Sequence, residues 1–132
     1  MIRDIKDDVK KVLYSEEQLA KRVKEIAEEI SKDYAGKDLL VVGILKGSVL
    51  FTSDLIKNIT IPCEIDFMAV SSYGNSAQTS GVVRILKDLD SDIENKHVLI
   101  VEDIVDTGTT LSYLLEYLKA RKAASIEIVA LL

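Results

Sequence analysis

The run from Glu102 to Thr110 concentrates side chains that can bind a phosphorylated ligand. It contains three carboxylates, one glycine and three threonine hydroxyls, at Glu102, Asp103, Asp106, Thr107, Gly108, Thr109 and Thr110. The preceding Val98–Val101 is apolar and of strand length, so these side chains are expected where a buried strand ends and a helix begins. The first turn of a helix has free backbone N–H groups, and Gly108 lets a phosphate approach them closely.

The three carboxylates of this run would repel a bare phosphate, so they indicate a second group on the same ligand. Sugar hydroxyls, or Mg²⁺ held through the carboxylates, would satisfy them. A phosphoribosyl group with Mg²⁺ offers a phosphate, a diol and a cation together. The alternative is an ordinary helix N terminus with threonine caps and acids favoured by the helix dipole. The density of these side chains within nine residues favours a binding site.

The elements that must position this run are predicted from hydrophobic periodicity and from capping and turn residues. In chain order they are a helix from Ser15 to near Gly36, a strand Leu39–Leu45, a helix Val49–Ile59, strands Cys63–Ser71, Val82–Leu89 and Val98–Val101, a helix with the stripe Leu111–Leu118, and a last, buried strand Ser125–Leu132. This alternation predicts an α/β fold with a mostly parallel twisted sheet and helices on both faces. The two consecutive strands without a helix between them are expected to form an antiparallel hairpin.

Two more segments carry polar side chains at predicted strand ends. Lys46 and Gly47 interrupt the first apolar strand, and Ser71–Gly81 is a polar loop around Tyr73. Ligands of parallel sheets bind outside the carboxyl ends of the strands, so Lys46, Gly47 and the acidic run are expected on one rim. Taken alone, Lys46 is more typical of a surface lysine at the end of a strand. The polar loop is equally typical of a disordered hairpin tip.

The composition excludes several classes of protein. With 132 residues, 48% hydrophobic and 30% charged, the chain is expected to be one globular domain. The net charge of −5 disfavours non-specific nucleic-acid binding. The single cysteine, Cys63, cannot form an internal disulfide, and no apolar run reaches the length of a membrane helix, so a cytoplasmic location is expected.

We interpret Cys63 as a small residue in or near the sheet, His97 as a surface residue, and Arg84 and Lys87 as a solvated strand face, with a subunit contact as the alternative.

The segment Val98–Thr110 resembles the phosphoribosyl-pyrophosphate signature of the type I phosphoribosyltransferases. The wider chain resembles the bacterial hypoxanthine-guanine (6-oxopurine) branch, with further support from Val42–Ser48, Asp66–Gly74 and Gly81–Asp88. The segments that narrow the resemblance to this branch are Leu45–Ser48 and Ser71–Gly74, and the resemblance covers nearly the whole chain. The resemblance implies a Rossmann-like fold, transfer of a phosphoribosyl group to hypoxanthine or guanine in purine salvage, Mg²⁺ as cofactor, and a homodimer or homotetramer. It implies that phosphoribosyl pyrophosphate and a purine base are bound and pyrophosphate is released.

The resemblance also implies roles for the acidic run. Glu102 and Asp103 would hold the ribose hydroxyls directly or through Mg²⁺. Asp106 would accept a proton near N7 of the purine, as the candidate catalytic residue. Asp106–Thr110 would bind the 5′-phosphate. Mg²⁺ would be held largely by substrate oxygens.

For the other two segments, the resemblance implies a pyrophosphate loop and a mobile loop. Leu45, Lys46 and Gly47 would form the pyrophosphate loop, with a cis peptide bond between the first two. Ser72 and Tyr73 would lie on the loop that closes over the reaction centre and excludes water.

The family continues, by resemblance, for roughly fifty residues beyond Leu132, where the residues that read and stack on the base are found. We therefore expect residues 1–132 to form a single phosphoribosyltransferase core domain that lacks the nucleobase part. Such a truncated or engineered core is expected to bind phosphoribosyl pyrophosphate weakly and to transfer it poorly. The exposed edge of the last strand is expected to favour self-association.

Two other classes of function remain as alternatives. A non-catalytic regulator that senses phosphoribosyl pyrophosphate and binds nucleic acid would need a basic surface, which the acidic composition does not offer. A phosphoacceptor receiver module also places an acid pair at a strand end. Its pair follows the first strand and is accompanied by a lysine at the last, whereas here the pair follows a late strand.

Overall fold

The computed structural model describes residues 15–72, 83–102 and 108–130, and only the backbone of residues 72, 83 and 108–110. These ranges contain three helices and five strands, namely α1 (Glu16–Asp33), β1 (Leu39–Leu45), α2 (Val49–Asn58), β2 (Glu64–Ser72), β3 (Val83–Lys87), β4 (His97–Glu102), α3 (Gly108–Lys119) and β5 (Ser125–Ala130). The order of helices and strands confirms the predicted α/β class. No helix within these ranges has the length and apolar character needed to cross a membrane.

Helix α1 begins and ends as its local sequence predicts. The Ser15 hydroxyl accepts a hydrogen bond from the Gln18 backbone N–H at 3.1 Å, and the Gln18 side chain accepts one from the Ser15 N–H at 2.8 Å. This reciprocal pair is a capping box, which satisfies N–H groups that have no partner within the helix. The chain leaves the helix at Asp33 and turns through Gly36, whose φ of 77° lies in the left-handed region that glycine adopts without strain.

The five strands form one sheet in the order β3-β2-β1-β4-β5. All neighbouring pairs are parallel except β2 and β3, which are antiparallel. The antiparallel pair is the hairpin that the sequence predicts. Strand β1 lies in the centre, and its residues from Leu39 to Ile44 are all buried. A strand buried on both faces requires a continuous apolar sequence, which is why this run has no alternation.

Helices cover both faces of the sheet. Successive side chains of a strand point to opposite sides, so neighbouring residues of β1 and of β4 belong to two different buried clusters. One buried cluster joins α1 and α2 to Val41 of β1 and Leu99 of β4. The other cluster joins α3 to the neighbouring positions Val42 and Ile100. Two apolar layers therefore fix the sheet between the helices and hold its strand ends in place.

Strand β5 differs from its prediction as a buried strand. Its residues Ser125–Ala130 are half-buried or exposed. Among the described strands β5 pairs only with β4 and lies at the edge of the sheet, so it has fewer neighbours to cover it.

His97 is not the surface residue that we predicted. It is the first residue of β4 and is half-buried. Its Nδ1 lies 2.7 Å from the Ser125 hydroxyl oxygen. The Tyr34 ring packs edge-on against the imidazole, with 6.2 Å between the two ring centroids. The parallel pairing of β4 with β5 puts His97 opposite Ser125, a contact that the sequence order alone does not reveal.

Candidate active site

The carboxyl ends of β1 and β4 lie side by side at one rim of the sheet. In this parallel pair Gly43 is the register partner of Val101. Strand β1 therefore ends at Leu45, two residues beyond this pair, and β4 ends at Glu102, one residue beyond it. The parallel pairing brings the Leu45–Gly47 loop and the start of the acidic run to the same rim, as predicted.

The loop Leu45–Gly47 links β1 to α2. The peptide bond between Leu45 and Lys46 is cis, as the resemblance implies. Lys46 and Gly47 are exposed, whereas Ser48, which follows them, is buried. The Val49 backbone N–H donates a hydrogen bond to the Lys46 carbonyl at 3.2 Å, so the loop enters the helix through a tight turn.

The acidic run is described only at its two ends. Glu102 is the half-buried last residue of β4, and α3 begins at Gly108. The predicted start of a helix on the Thr-Gly-Thr-Thr segment is thus present in the backbone. Asp103, Asp106 and Thr107 lie outside the described residues, and so do the side chains of Thr109 and Thr110, so their roles stay predictions.

The β2–β3 hairpin extends beyond the rim next to the Leu45–Gly47 loop. Leu45 is the register partner of Ala69, and β2 continues for three more residues to Ser72, which pairs with Val83. At about 3.3 Å per residue, the hairpin reaches about 10 Å past the end of β1. Ser72 stands at the predicted loop, while Tyr73 lies outside the described residues.

A buried carboxylate at the base of the hairpin is a feature that the sequence analysis did not identify. Asp66 of β2 is 7% exposed and accepts hydrogen bonds from the backbone N–H groups of Phe67 at 2.7 Å and Asp90 at 2.8 Å. The Lys87 ammonium lies 3.5 Å from the same carboxylate and donates to the Phe67 carbonyl at 2.9 Å. Burial opposes ionisation, but these donors outweigh it and hold the pKa of Asp66 below its ordinary value.

The prediction that Lys87 belongs to a solvated strand face is therefore wrong. Lys87 is half-buried, and its ammonium group pairs with the Asp66 carboxylate. The sequence signal for this contact is an isolated acid in one hairpin strand and a lysine at the end of the other.

For Arg84, which is exposed on β3, the predicted choice between a solvated face and a subunit contact stays open. Cys63 packs half-buried against one apolar cluster next to the sheet, as predicted, and burial raises the pKa of its thiol.

A second polar cluster joins the end of the hairpin to α3. The Arg121 guanidinium donates to both oxygens of Asp88, with Nη1 at 3.0 Å from Oδ1, and the Tyr117 hydroxyl donates to the same carboxylate. Burial alone would raise the pKa of Asp88, but the hydrogen bonds from Arg121 and Tyr117 lower it. Since α3 begins at Gly108, this cluster connects the hairpin to the helix that follows the acidic run.

The predicted metal ligands are only half described. Within residues 15–72, 83–102 and 108–130, no three histidine, cysteine or acidic side chains form a metal-binding group. Glu102 belongs to these ranges and its predicted partner Asp103 does not. The carboxylate of Glu102 at the rim is chemically suited to Mg²⁺, which prefers oxygen ligands and keeps several places for water or substrate oxygens.

Comparison with known proteins gives consistent matches. The family model "phosphoribosyl transferase domain" matches residues 10–132. The hypoxanthine-guanine phosphoribosyltransferase of Bacillus subtilis is 52% identical over 128 residues, which cover 97% of this chain and 71% of that protein. Its counterpart from Streptococcus mutans is 51% identical over 96% of this chain and 71% of its own length. A crystal structure of a Staphylococcus aureus hypoxanthine phosphoribosyltransferase superposes with a TM-score of 0.89 at 52% identity, covering 98% of this chain and 71% of that one.

The sheet order, the shared rim and the structural likeness define an α/β transferase core with the type I phosphoribosyltransferase fold. The two bacterial relatives share about half of their aligned residues with this chain over almost its whole length, so the similarity is one of sequence as well as of fold. The chain belongs to the phosphoribosyltransferase family. The matched relatives carry the names of enzymes, so a non-catalytic regulator and a receiver module are both disfavoured.

Proposed function

We propose that the chain transfers the phosphoribosyl group of 5-phospho-α-D-ribosyl 1-pyrophosphate to hypoxanthine or guanine, forming IMP or GMP and pyrophosphate in purine salvage. The names of the matched relatives support this substrate class. The observation that carries the proposal is the parallel β1–β4 pair, which ends on one side in the Leu45–Gly47 loop and on the other in Glu102. A pyrophosphate group and a ribose are neighbours on one substrate, as these two segments are neighbours on one rim.

In the proposed site the acidic run binds the ribose and the 5′-phosphate. Glu102 and Asp103 accept hydrogen bonds from the two ribose hydroxyls or hold Mg²⁺ near them. The backbone and hydroxyl donors of Asp106–Thr110 bind the phosphate at the start of α3, where the helix dipole favours an anion. Asp106 accepts the proton that the purine loses as its ring nitrogen bonds to C1 of the ribose.

The Leu45–Gly47 loop binds the pyrophosphate that leaves C1. The bond from C1 to the pyrophosphate oxygen breaks as the bond from C1 to the purine nitrogen forms, and the sugar carries positive charge in between. Orientation of the two reactants by the rim supplies much of the rate increase. The hairpin loop with Ser72 and Tyr73 closes over this centre, because water would otherwise compete with the purine.

The donor set fits Mg²⁺ as the proposed cofactor. Glu102 offers hard carboxylate oxygens at the rim, and the substrate itself supplies more oxygen ligands. Bound Mg²⁺ would neutralise negative charge on the departing pyrophosphate.

We further propose that residues 1–132 form one core domain in the cytoplasm and assemble as a homodimer or homotetramer. Multi-angle light scattering of the purified chain, over a range of concentrations, measures the assembly directly. A monomer at all concentrations would contradict this part of the proposal.

Calorimetry and an enzyme assay test the main proposal. Titration of Mg²⁺ and phosphoribosyl pyrophosphate into the 132-residue chain should show saturable binding that disappears with EDTA. An assay of IMP and GMP formation from the two purines then measures the transfer step. Absence of Mg²⁺-dependent binding would refute the proposed site, and formation of neither IMP nor GMP would refute the proposed transfer.

A further inference from the structure

Ser48 stands at the N-cap position of α2, but its hydroxyl does not cap the helix. The residue is 0% exposed, and its Oγ donates a hydrogen bond to the Ile44 carbonyl at 2.6 Å. The Ser48 backbone N–H lies 3.3 Å from the same oxygen. A serine at this position usually accepts a hydrogen bond from the second or third N–H of the helix. The hydroxyl of Ser48 is therefore turned away from the helix and towards the strand that precedes the loop.

Ile44 and Ser48 are the residues on either side of the Leu45–Gly47 loop. The hydrogen bond between them closes the loop at its base, where both residues are buried. Lys46 and Gly47, between these fixed ends, are exposed at the rim. A buried side chain thus connects the strand end to the helix start and limits the conformations open to the exposed loop.

We infer that Ser48 is a positioning residue that holds the Leu45–Gly47 loop in the shape that binds pyrophosphate. The inference rests on the proposed function, because it assumes that this loop is the pyrophosphate site. Ser48 acts through the Ile44 carbonyl and does not itself contact the ligand. A loop ordered in advance loses less conformational freedom on binding, so the hydroxyl increases affinity for the group that the loop holds.

Loss of the Ser48 hydroxyl is expected to weaken binding of the pyrophosphate part of the substrate and to leave binding of the ribose 5-phosphate part unchanged. Pyrophosphate would bind at the Leu45–Gly47 loop, whereas ribose 5-phosphate would bind at the acidic run and the start of α3. The test therefore compares the dissociation constants of Mg²⁺-pyrophosphate and of ribose 5-phosphate, measured by calorimetry for the wild-type chain and for variants of Ser48.

Ser48→Ala is expected to weaken pyrophosphate binding by about tenfold, the effect of one lost hydrogen bond, and to leave ribose 5-phosphate binding within about twofold. Ser48→Cys keeps a side chain of similar size with a weaker donor, so its effect should be intermediate. Ser53→Ala is the matched control, because Ser53 is an exposed serine on the same helix, and it should change neither constant.

Each outcome has a distinct meaning. Unchanged pyrophosphate affinity in Ser48→Ala would overturn the inference and leave the proposed function intact. Equal weakening of both ligands would also overturn it, since that result indicates a general loss of structure at the rim. If Ser48→Ala does not fold, as judged by circular dichroism, Ser48→Cys decides by the same two constants. A wild-type chain that binds neither ligand would refute the proposed function itself.

Discussion

Gly43 of β1 and Phe67 of β2 are register partners, and no room for a β carbon exists between them. A β carbon built on Gly43 would lie 2.7 Å from Cε1 of the Phe67 ring and 2.7 Å from the hydroxyl of Thr52 on α2. The central strand, its neighbour and the helix after the Leu45–Gly47 loop therefore meet at a glycine. This close packing lies two residues before the end of β1, directly beneath the proposed site.

Gly43→Ala is expected to destabilise the fold by about 1–3 kcal/mol, because the added methyl group overpacks a buried contact. Urea denaturation measures the change in the free energy of unfolding. Gly36→Asn is the comparison and should cost less, since a β carbon built on Gly36 meets no atom within 4 Å and asparagine adopts the left-handed backbone more readily than most residues. If Gly43→Ala has the same free energy of unfolding as the wild type, the neighbours of Gly43 can move to admit a methyl group, and the prediction is refuted.

The buried carboxylate of Asp66 should make stability depend on acidic pH. Its pKa in the folded chain is lowered, so the folded state binds the proton less tightly than the unfolded state does. The resulting stabilisation is complete well above the ordinary aspartate pKa of about 3.9 and is lost as the pH falls through the lowered folded value.

Asp66→Asn is therefore expected to cost about 1–3 kcal/mol at neutral pH, because the N–H groups of Phe67 and Asp90 lose a charged acceptor. The difference from the wild type should begin to shrink below about pH 4, where the unfolded chain takes up the proton, and should be lost as the folded carboxyl is protonated at lower pH. Urea denaturation at several pH values provides the measurement. Asp54→Asn, on an exposed side chain, serves as control; a difference that stays constant with pH would contradict the role given to Asp66.

The pair Asp88–Arg121 should show measurable coupling even though its side chains are 34% and 33% exposed. The guanidinium contacts both carboxylate oxygens, which favours a stronger interaction than a single contact does. A double-mutant cycle with alanine at both positions is expected to give about 0.5–1 kcal/mol of coupling, reduced by salt. The exposed pair Arg22–Glu25, with one contact at 3.7 Å, should give almost none, and equal values for the two pairs would refute the prediction.

Glu102→Gln tests the proposed role of the rim carboxylate. The substitution keeps the size of the side chain and removes its charge, so Mg²⁺-dependent binding of phosphoribosyl pyrophosphate is expected to weaken at least about tenfold, through loss of a charge-assisted contact. Calorimetry with and without EDTA measures the effect. Glu116→Gln, an exposed position on α3, should bind like the wild type. The role of Glu102 is rejected if both variants bind equally well.

Features that depend on neighbours in the sequence were predicted well. The capping box of Ser15 and Gln18 and the strand Leu39–Leu45 follow from short-range hydrogen bonds and from a continuous apolar run. The strand ends with their polar residues follow in the same way, because a buried apolar strand must stop where polar side chains begin. The α/β class and the shared rim follow from the order of these elements.

Long-range pairings required the tertiary structure. The contact of Asp66 with Lys87 and that of His97 with Ser125 join residues about twenty or more positions apart, and only the pairing of strands brings them together. Burial follows the same rule: β5 is apolar in sequence but half-buried, since it lies at an edge of the described sheet. Residue type and local order thus determine which elements form and where they end. The strand order decides which polar side chains are buried together, because burial depends on neighbours from distant parts of the chain.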